Sequence, residues 1–142
     1  MSVILPEPQH TTCLTILLVD DDEGELRYWT DALRNLGKNY TVLTAPDRHS
    51  AHDICKEHAV DCVLLDLDMP ESGFDLLLEL VPDPKQPAIA VIVLTRLVYP
   101  TLCEIAKSHG AQDWLVKNKT SAEQLDIAIH RAVLAVKSES HQ

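Results

Sequence analysis

Hydrophobic and polar positions along the chain fall into two alternating kinds of segment. Short apolar runs occupy Cys13–Val19, Tyr40–Thr44, Ala59–Leu65, Ala88–Leu94 and Asp113–Val116. Four of the five are rich in Val, Ile or Leu, and each is about seven residues or shorter, which predicts strands. The third and fourth lack polar alternation, as parallel strands covered on both faces do.

Between these runs the apolar spacing changes to three and four. Leu26, Trp29, Leu33 and Leu36 stripe one helix, which Gly37 closes in a left-handed conformation. Asp22 with Glu25 reads as a capping box at its start. Ala51, Ile54 and Cys55 mark a second helix opened by Pro46. A third covers Phe74–Val81 and ends at the loop carrying Pro82, Pro84 and Pro87. Pro100 opens a fourth, with Leu102, Ile105 and Ala106 on one side. The last opens on a second capping box, Thr120 with Glu123, and its apolar face holds Ala122, Leu125, Ile129, Ala132, Val133 and Val136.

Five strand–helix units in succession predict an α/β fold: a doubly wound, five-stranded parallel sheet with right-handed crossovers, the centre of a three-layer α/β/α sandwich. The pattern occupies residues 13–137, with short tails expected at 1–12 and 138–142. A length of 142 residues suits one such domain.

Composition narrows the function. Apolar residues at 46% exclude a disordered chain. Lys and Arg number 12 against 22 Asp and Glu, a net charge of −10, which argues against a broad nucleic-acid or anionic-membrane footprint and suits cations or a basic partner. Cys13, Cys55, Cys62 and Cys103 contain no C-x-x-C pair and read as reduced thiols of a cytoplasmic protein. The longest apolar stretch, Ala88–Leu94, is far below the ~20 residues a membrane span needs. The N-terminus has no basic region before a long apolar core, so no secretory signal is read there.

Ligands of open parallel α/β sheets bind beyond the carboxyl ends of the strands. Asp20, Asp21 and Asp22 follow the first run, Asp66 and Asp68 the third, Thr95 and Arg96 the fourth, and Lys117 and Asn118 the fifth, while the second ends only in Thr44. Clustered carboxylates need a shared cation, and oxygen donors with few protein ligands suit Mg²⁺. A lysine and a threonine beside them are natural partners for a transferred phosphoryl group. A carboxylate in that setting can itself be the nucleophile and form an aspartyl-phosphate.

Four blocks, Ile16-Leu-Leu-Val-Asp-Asp-Asp22, Leu64-Leu-Asp66-Leu-Asp-Met-Pro70, Val93-Leu-Thr95 and Gly110-Ala-Gln-Asp-Trp-Leu-Val-Lys117, resemble the signature blocks of response-regulator receiver domains in order and spacing. The resemblance covers roughly residues 13–137 and implies the flavodoxin-like strand order 2-1-3-4-5. It implies that Asp66 is the phosphoacceptor, that Asp21 ligates Mg²⁺ directly with Mn²⁺ as an alternative ion, and that Asp20 helps hold the metal through water. The backbone carbonyl of Asp68 completes the metal ligands with Asp66, Thr95 and Lys117 bind phosphoryl oxygens, and Trp114 takes the aromatic switch position paired with Thr95. The implied partners are a sensor histidine kinase or phosphotransfer protein and a downstream protein target, with no nucleic acid and no membrane insertion. The implied chemistry is self-phosphotransfer with slow autodephosphorylation, as in a stand-alone response regulator, and no turnover of a separate substrate.

The sequence departs from the receiver pattern in four places. Gly73 comes one residue early after Met69-Pro70, Asn118 replaces the usual proline after Lys117, Asp68 adds a carboxylate, and Arg96 stands where a small residue is usual. Arg96 is therefore a candidate gate, covering the site or pairing with Asp68 or the phosphoryl group. Asp22 reads as a helix cap, not a ligand, and His49 and His52 near Asp53 as a solvated face, not a metal pair. Two other classes compete with this reading. Asp66-Leu67-Asp68 is a D-x-D as in haloacid-dehalogenase-like phosphatases, but those place it after their first strand. A pseudo-receiver, docking partners without phosphorylation, is the other.

Overall fold

The computed structural model describes residues 13–69 and 73–139. Along the chain run β1 (Leu14–Val19), α1 (Glu23–Arg34), β2 (Tyr40–Ala45), α2 (Arg48–Glu57), β3 (Cys62–Leu65), α3 (Gly73–Leu80), β4 (Ala90–Thr95), α4 (Pro100–Ser108), β5 (Asp113–Val116) and α5 (Ala122–Glu139). All strand pairs are parallel, in the order β2-β1-β3-β4-β5. This is the doubly wound, flavodoxin-like sheet that the resemblance implies.

Side chains of a strand alternate between the two faces of a sheet, so each central strand feeds two cores. Ile16 and Leu18 of β1, Leu64 of β3 and Ile92 of β4 pack under α1 and α5 with Trp29, Leu33, Leu125 and Ile129. Leu17, Val63 and Val93 point the other way, beneath α2, α3 and α4, against Ala51, Leu76, Leu77 and Ala106. Burial on both faces explains the unbroken apolar runs in β3 and β4, every residue of which is buried.

Several boundaries differ from the sequence reading. The third strand begins later than Ala59, because α2 runs to Glu57 and the residues after it form the connection. The fourth begins later than Ala88, after the loop that follows α3. Pro46 does not open α2; Asp47 caps it, accepting from the Ser50 backbone N–H at 2.8 Å. The box before α5 is Ser121 with Gln124, each side chain bonding the other's backbone N–H at 3.1 and 2.8 Å, not Thr120 with Glu123. Thr120 instead donates its hydroxyl to the Val116 carbonyl, which moves the helix start one residue on. α5 continues to Glu139, past the expected boundary at 137. The expected tail at 1–12 lies outside the described residues, as do positions 70–72 between β3 and α3. Among the described residues no helix is long and apolar enough to cross a membrane.

The turn before β5 is held by a close approach. Gly110 has φ 110°, and a Cβ there would lie 2.4 Å from Cγ1 of Val81, the residue just after α3. Both backbone conformation and space require glycine. Gly110→Ala is expected to destabilise the fold by roughly 1–3 kcal/mol or more, read as a lowered urea midpoint with unchanged slope. An unshifted midpoint would refute that requirement.

Candidate functional site

Parallel pairing brings the carboxyl ends of β1, β3, β4 and β5 to one edge. Val19 pairs with Leu65, Leu65 with Val93, and Thr95 with Val116. The next residue in three of these strands is polar and buried: Asp20, Asp66 and Lys117 are 6%, 6% and 8% exposed, and Thr95 is fully buried. Backbone bonds extend the ladder into the site, from Asp66 N–H to the Val19 carbonyl at 3.0 Å and from Asp20 N–H to the Ala45 carbonyl at 3.1 Å.

Asp20 and Asp66 are held in the same way. One oxygen of each accepts from the backbone N–H two residues on, Asp22 at 2.9 Å and Asp68 at 2.8 Å. The other oxygen accepts from Lys117 Nζ, at 2.5 Å for Asp20 and 3.0 Å for Asp66. Each carboxylate thus has a fixed orientation, and the ammonium joins strand ends that lie far apart in sequence. Burial raises the Asp20 carboxyl above its ordinary value, although the Lys117 and Asp22 bonds oppose this. Burial acts to lower the Lys117 ammonium, but its bonds to Asp20 and Asp66 outweigh it and the net shift is upward.

Around these groups lies a cavity of about 80 Å³ lined by six carboxylates, Lys117 and Arg96. At about 30 Å³ per water this is room for a few waters, a small cation or a phosphoryl group. Asp21 and the exposed Asp68 line its mouth. Among the described residues no three His, Cys, Asp or Glu side chains close around a metal position. The Lys117 ammonium bridges the two buried carboxylates. The donors are all hard oxygens and the cavity is open, which fits an ion that keeps several waters, as Mg²⁺ does.

The remaining candidates divide. Asp22 is the α1 cap, its Oδ1 accepting from Gly24 N–H at 2.8 Å and Glu25 N–H at 3.2 Å. Glu25 does not complete a capping box. Its Oε1 accepts from the Trp29 indole N–H at 3.2 Å and lies 3.4 Å from Lys117 Nζ, and its Oε2 meets Arg96 Nη2 at 2.5 Å. Arg96 therefore pairs with Glu25 and not with Asp68. Glu25 is the site residue the sequence reading missed; an acid in the first turn of the helix that directly follows the acidic end of β1 was the available signal.

Thr95 Oγ1 accepts from the Leu97 backbone N–H at 3.3 Å. Trp114 is half-buried against the core beneath α2, α3 and α4, the face toward which alternation also turns Thr95. The Lys117–Asn118 peptide is trans, within a short 3-10 turn. Gly73 is needed beneath the site, since a Cβ there would meet the Asp66 carbonyl oxygen at 2.8 Å. His52 binds Glu79 of α3 at 2.6 Å and His49 lies 3.4 Å from Asp53, with no metal cluster among the described residues.

Comparison with known proteins agrees with this architecture. The model of the response regulator receiver domain matches residues 16–130. A probable cyclic di-GMP phosphodiesterase of Vibrio cholerae is 31% identical over 104 residues, covering 72% of this chain and 23% of that protein. The polar-differentiation response regulator DivK of Brucella anthropi is 25% identical, covering 72% of this chain and 83% of its own. A receiver domain protein of Clostridium thermocellum superposes with a TM-score of 0.76 at 32% identity, over 87% of this chain and 97% of that one. The chain spans about a fifth of the length of several larger curated relatives it matches. With a family match over most of its length, the expected strand order, and acids and a lysine gathered at the expected sheet edge, this chain belongs to the response regulator receiver domains, the phosphoryl-accepting modules of two-component signalling.

Proposed function

We propose that this protein takes a phosphoryl group from the phosphohistidine of a sensor kinase or phosphotransfer protein onto Asp66 and signals the change to a protein partner in the cytoplasm. The observation that carries this reading is the fixed orientation of the Asp66 carboxylate, anchored at Oδ1 by the Asp68 N–H and at Oδ2 by Lys117. A carboxylate so held attacks phosphorus, a P–O bond forms as the donor's P–N bond breaks, and the imidazole leaves with the electron pair. Lys117 follows the developing charge onto the phosphoryl oxygens, and Thr95 supplies a hydroxyl from the end of β4. Asp20, Asp21, Asp66 and the Asp68 carbonyl would hold Mg²⁺, which neutralises charge on the transferring group when bound.

The test is Mg²⁺-dependent labelling by a small acyl phosphate, followed over time. A label that persists and then decays slowly is the expected result. Rapid turnover with release of inorganic phosphate would mean a phosphatase, and no label would mean a docking module.

Output is assigned to Thr95 and Trp114. Movement of Thr95 toward a phosphoryl group vacates space on the face it shares with the indole, and that shift reshapes the surface around α4, β5 and α5. In Trp29→Phe protein, Mg²⁺ with a phosphoryl mimic is expected to change Trp114 emission, and the further change Asp66→Asn to abolish the response. Identical spectra with and without the mimic would refute the switch.

A further inference from the structure

Glu25 and Arg96 belong to no part of the mechanism above, yet both line the cavity that holds Asp66. They differ in how firmly they are held. The Glu25 carboxylate is gripped by the Trp29 indole and lies beside Lys117, with its side chain 19% exposed. The Arg96 side chain is 64% exposed, and Glu25 is its ion-pair partner. A largely buried carboxylate thus holds an exposed guanidinium, directly after Thr95 in the chain.

Charge sets the response to an arriving phosphoryl group. An aspartyl-phosphate carries roughly one more negative charge than the carboxylate it replaces, in a cavity where six carboxylates already face two cations. Lys117 is already shared among Asp20, Asp66 and Glu25. The second cation is Arg96. A guanidinium matches a phosphoryl group with a two-pronged set of donors and binds a dianion more strongly than a single carboxylate.

We propose that Glu25 is a built-in stand-in for the phosphoryl group: its carboxylate occupies Arg96 in the resting protein, and a phosphoryl group on Asp66 takes the guanidinium over. Arg96 is then a phosphoryl-binding residue peculiar to this site, and Glu25 is the positioning residue that sets how readily it is released. The proposal rests on Asp66 being the phosphoacceptor. The resting pair is an exposed one, so the expected hold is modest, about two- to fivefold.

The experiment is a double-mutant cycle on binding of beryllium fluoride with Mg²⁺, titrated by NMR with the Trp29 indole N–H as reporter. Glu25→Gln keeps the shape of the side chain and is expected to tighten binding about two- to fivefold. Arg96→Ala is expected to weaken it, and Glu25→Gln on the Arg96→Ala background to give no further gain. The same gain on both backgrounds would mean that Glu25 acts only by its charge, and would overturn the exchange. Unchanged affinity in Arg96→Ala would overturn it as well. Asp66→Asn separates the two levels: binding that survives this change removes the phosphoacceptor assignment itself, whereas binding lost here with an additive cycle removes only the exchange.

Discussion

Asp66→Asn protein, incubated with acetyl phosphate and Mg²⁺, is expected to carry no alkali-labile phosphoryl group at residue 66. The substitution is nearly isosteric. An amide oxygen at Oδ1 still accepts from the Asp68 backbone N–H, now 2.8 Å away, so the loop conformation is retained. What disappears is the anionic oxygen that attacks phosphorus and the charge that faces Lys117 at 3.0 Å. Loss of a nucleophile from an otherwise intact site costs on the order of 10³-fold or more in rate. Intact-mass measurement after labelling reads the result, and peptide mapping shows whether a neighbouring acid such as Asp20 takes over. Undiminished label in the Asn protein would remove Asp66 from its role.

Lys117→Ala is expected to cost the metal-free protein about 3–5 kcal/mol near neutral pH, because it leaves Asp20 and Asp66 buried without their shared counter-charge. The loss should depend on pH in a definite direction. Burial already holds the Asp20 carboxyl above its ordinary value of 3.8, so the folded state binds protons there more readily than the unfolded state. A group of that kind contributes less stability as pH rises through the window above 3.8. Removing the ammonium removes the main opposing influence and widens the window. The deficit of Lys117→Ala relative to wild type should therefore shrink as pH is lowered from about 7 toward 4. At the alkaline end the wild type behaves in the complementary way. The raised Lys117 contributes its full stability below its ordinary 10.5, and that contribution fades above it. Urea titrations in EDTA across this range read both effects, and a small, pH-independent deficit would show that the ammonium is not what balances the two acids.

Both predictions concern residues legible before the fold was known, and the reason is local. Asp20, Asp66 and Lys117 each directly follow an apolar run, and an open parallel sheet places everything beyond its strand ends at one edge. The number, type and succession of elements were legible for the same reason: strand and helix periodicities are written in consecutive residues. The strand order was not. Order 2-1-3-4-5 came from resemblance alone, since nothing in the five runs states which neighbours pair.

Helix starts were less legible than helix bodies. Ser121 and Thr120 are adjacent hydroxyl residues, and either can cap a helix; the choice fell to Ser121 because Thr120 bonds the Val116 carbonyl and Gln124 stands where it can return the bond. Pro46 and Asp47 posed the same choice before α2.

Residue types, the two periodicities and the polar residues at the strand ends were thus determined by the sequence itself, because each depends on neighbours within about a turn. Partnerships across the chain were decided only by tertiary structure. Lys117 reaches Asp20 across 97 positions and Arg96 reaches Glu25 across 71, and such pairs depend on where whole elements pack. Glu25 illustrates the difference most clearly. In sequence it completes a capping box; in the folded protein the Trp29 indole, the Lys117 ammonium and the Arg96 guanidinium draw its carboxylate into the site, and three charged or polar donors outweigh one backbone N–H.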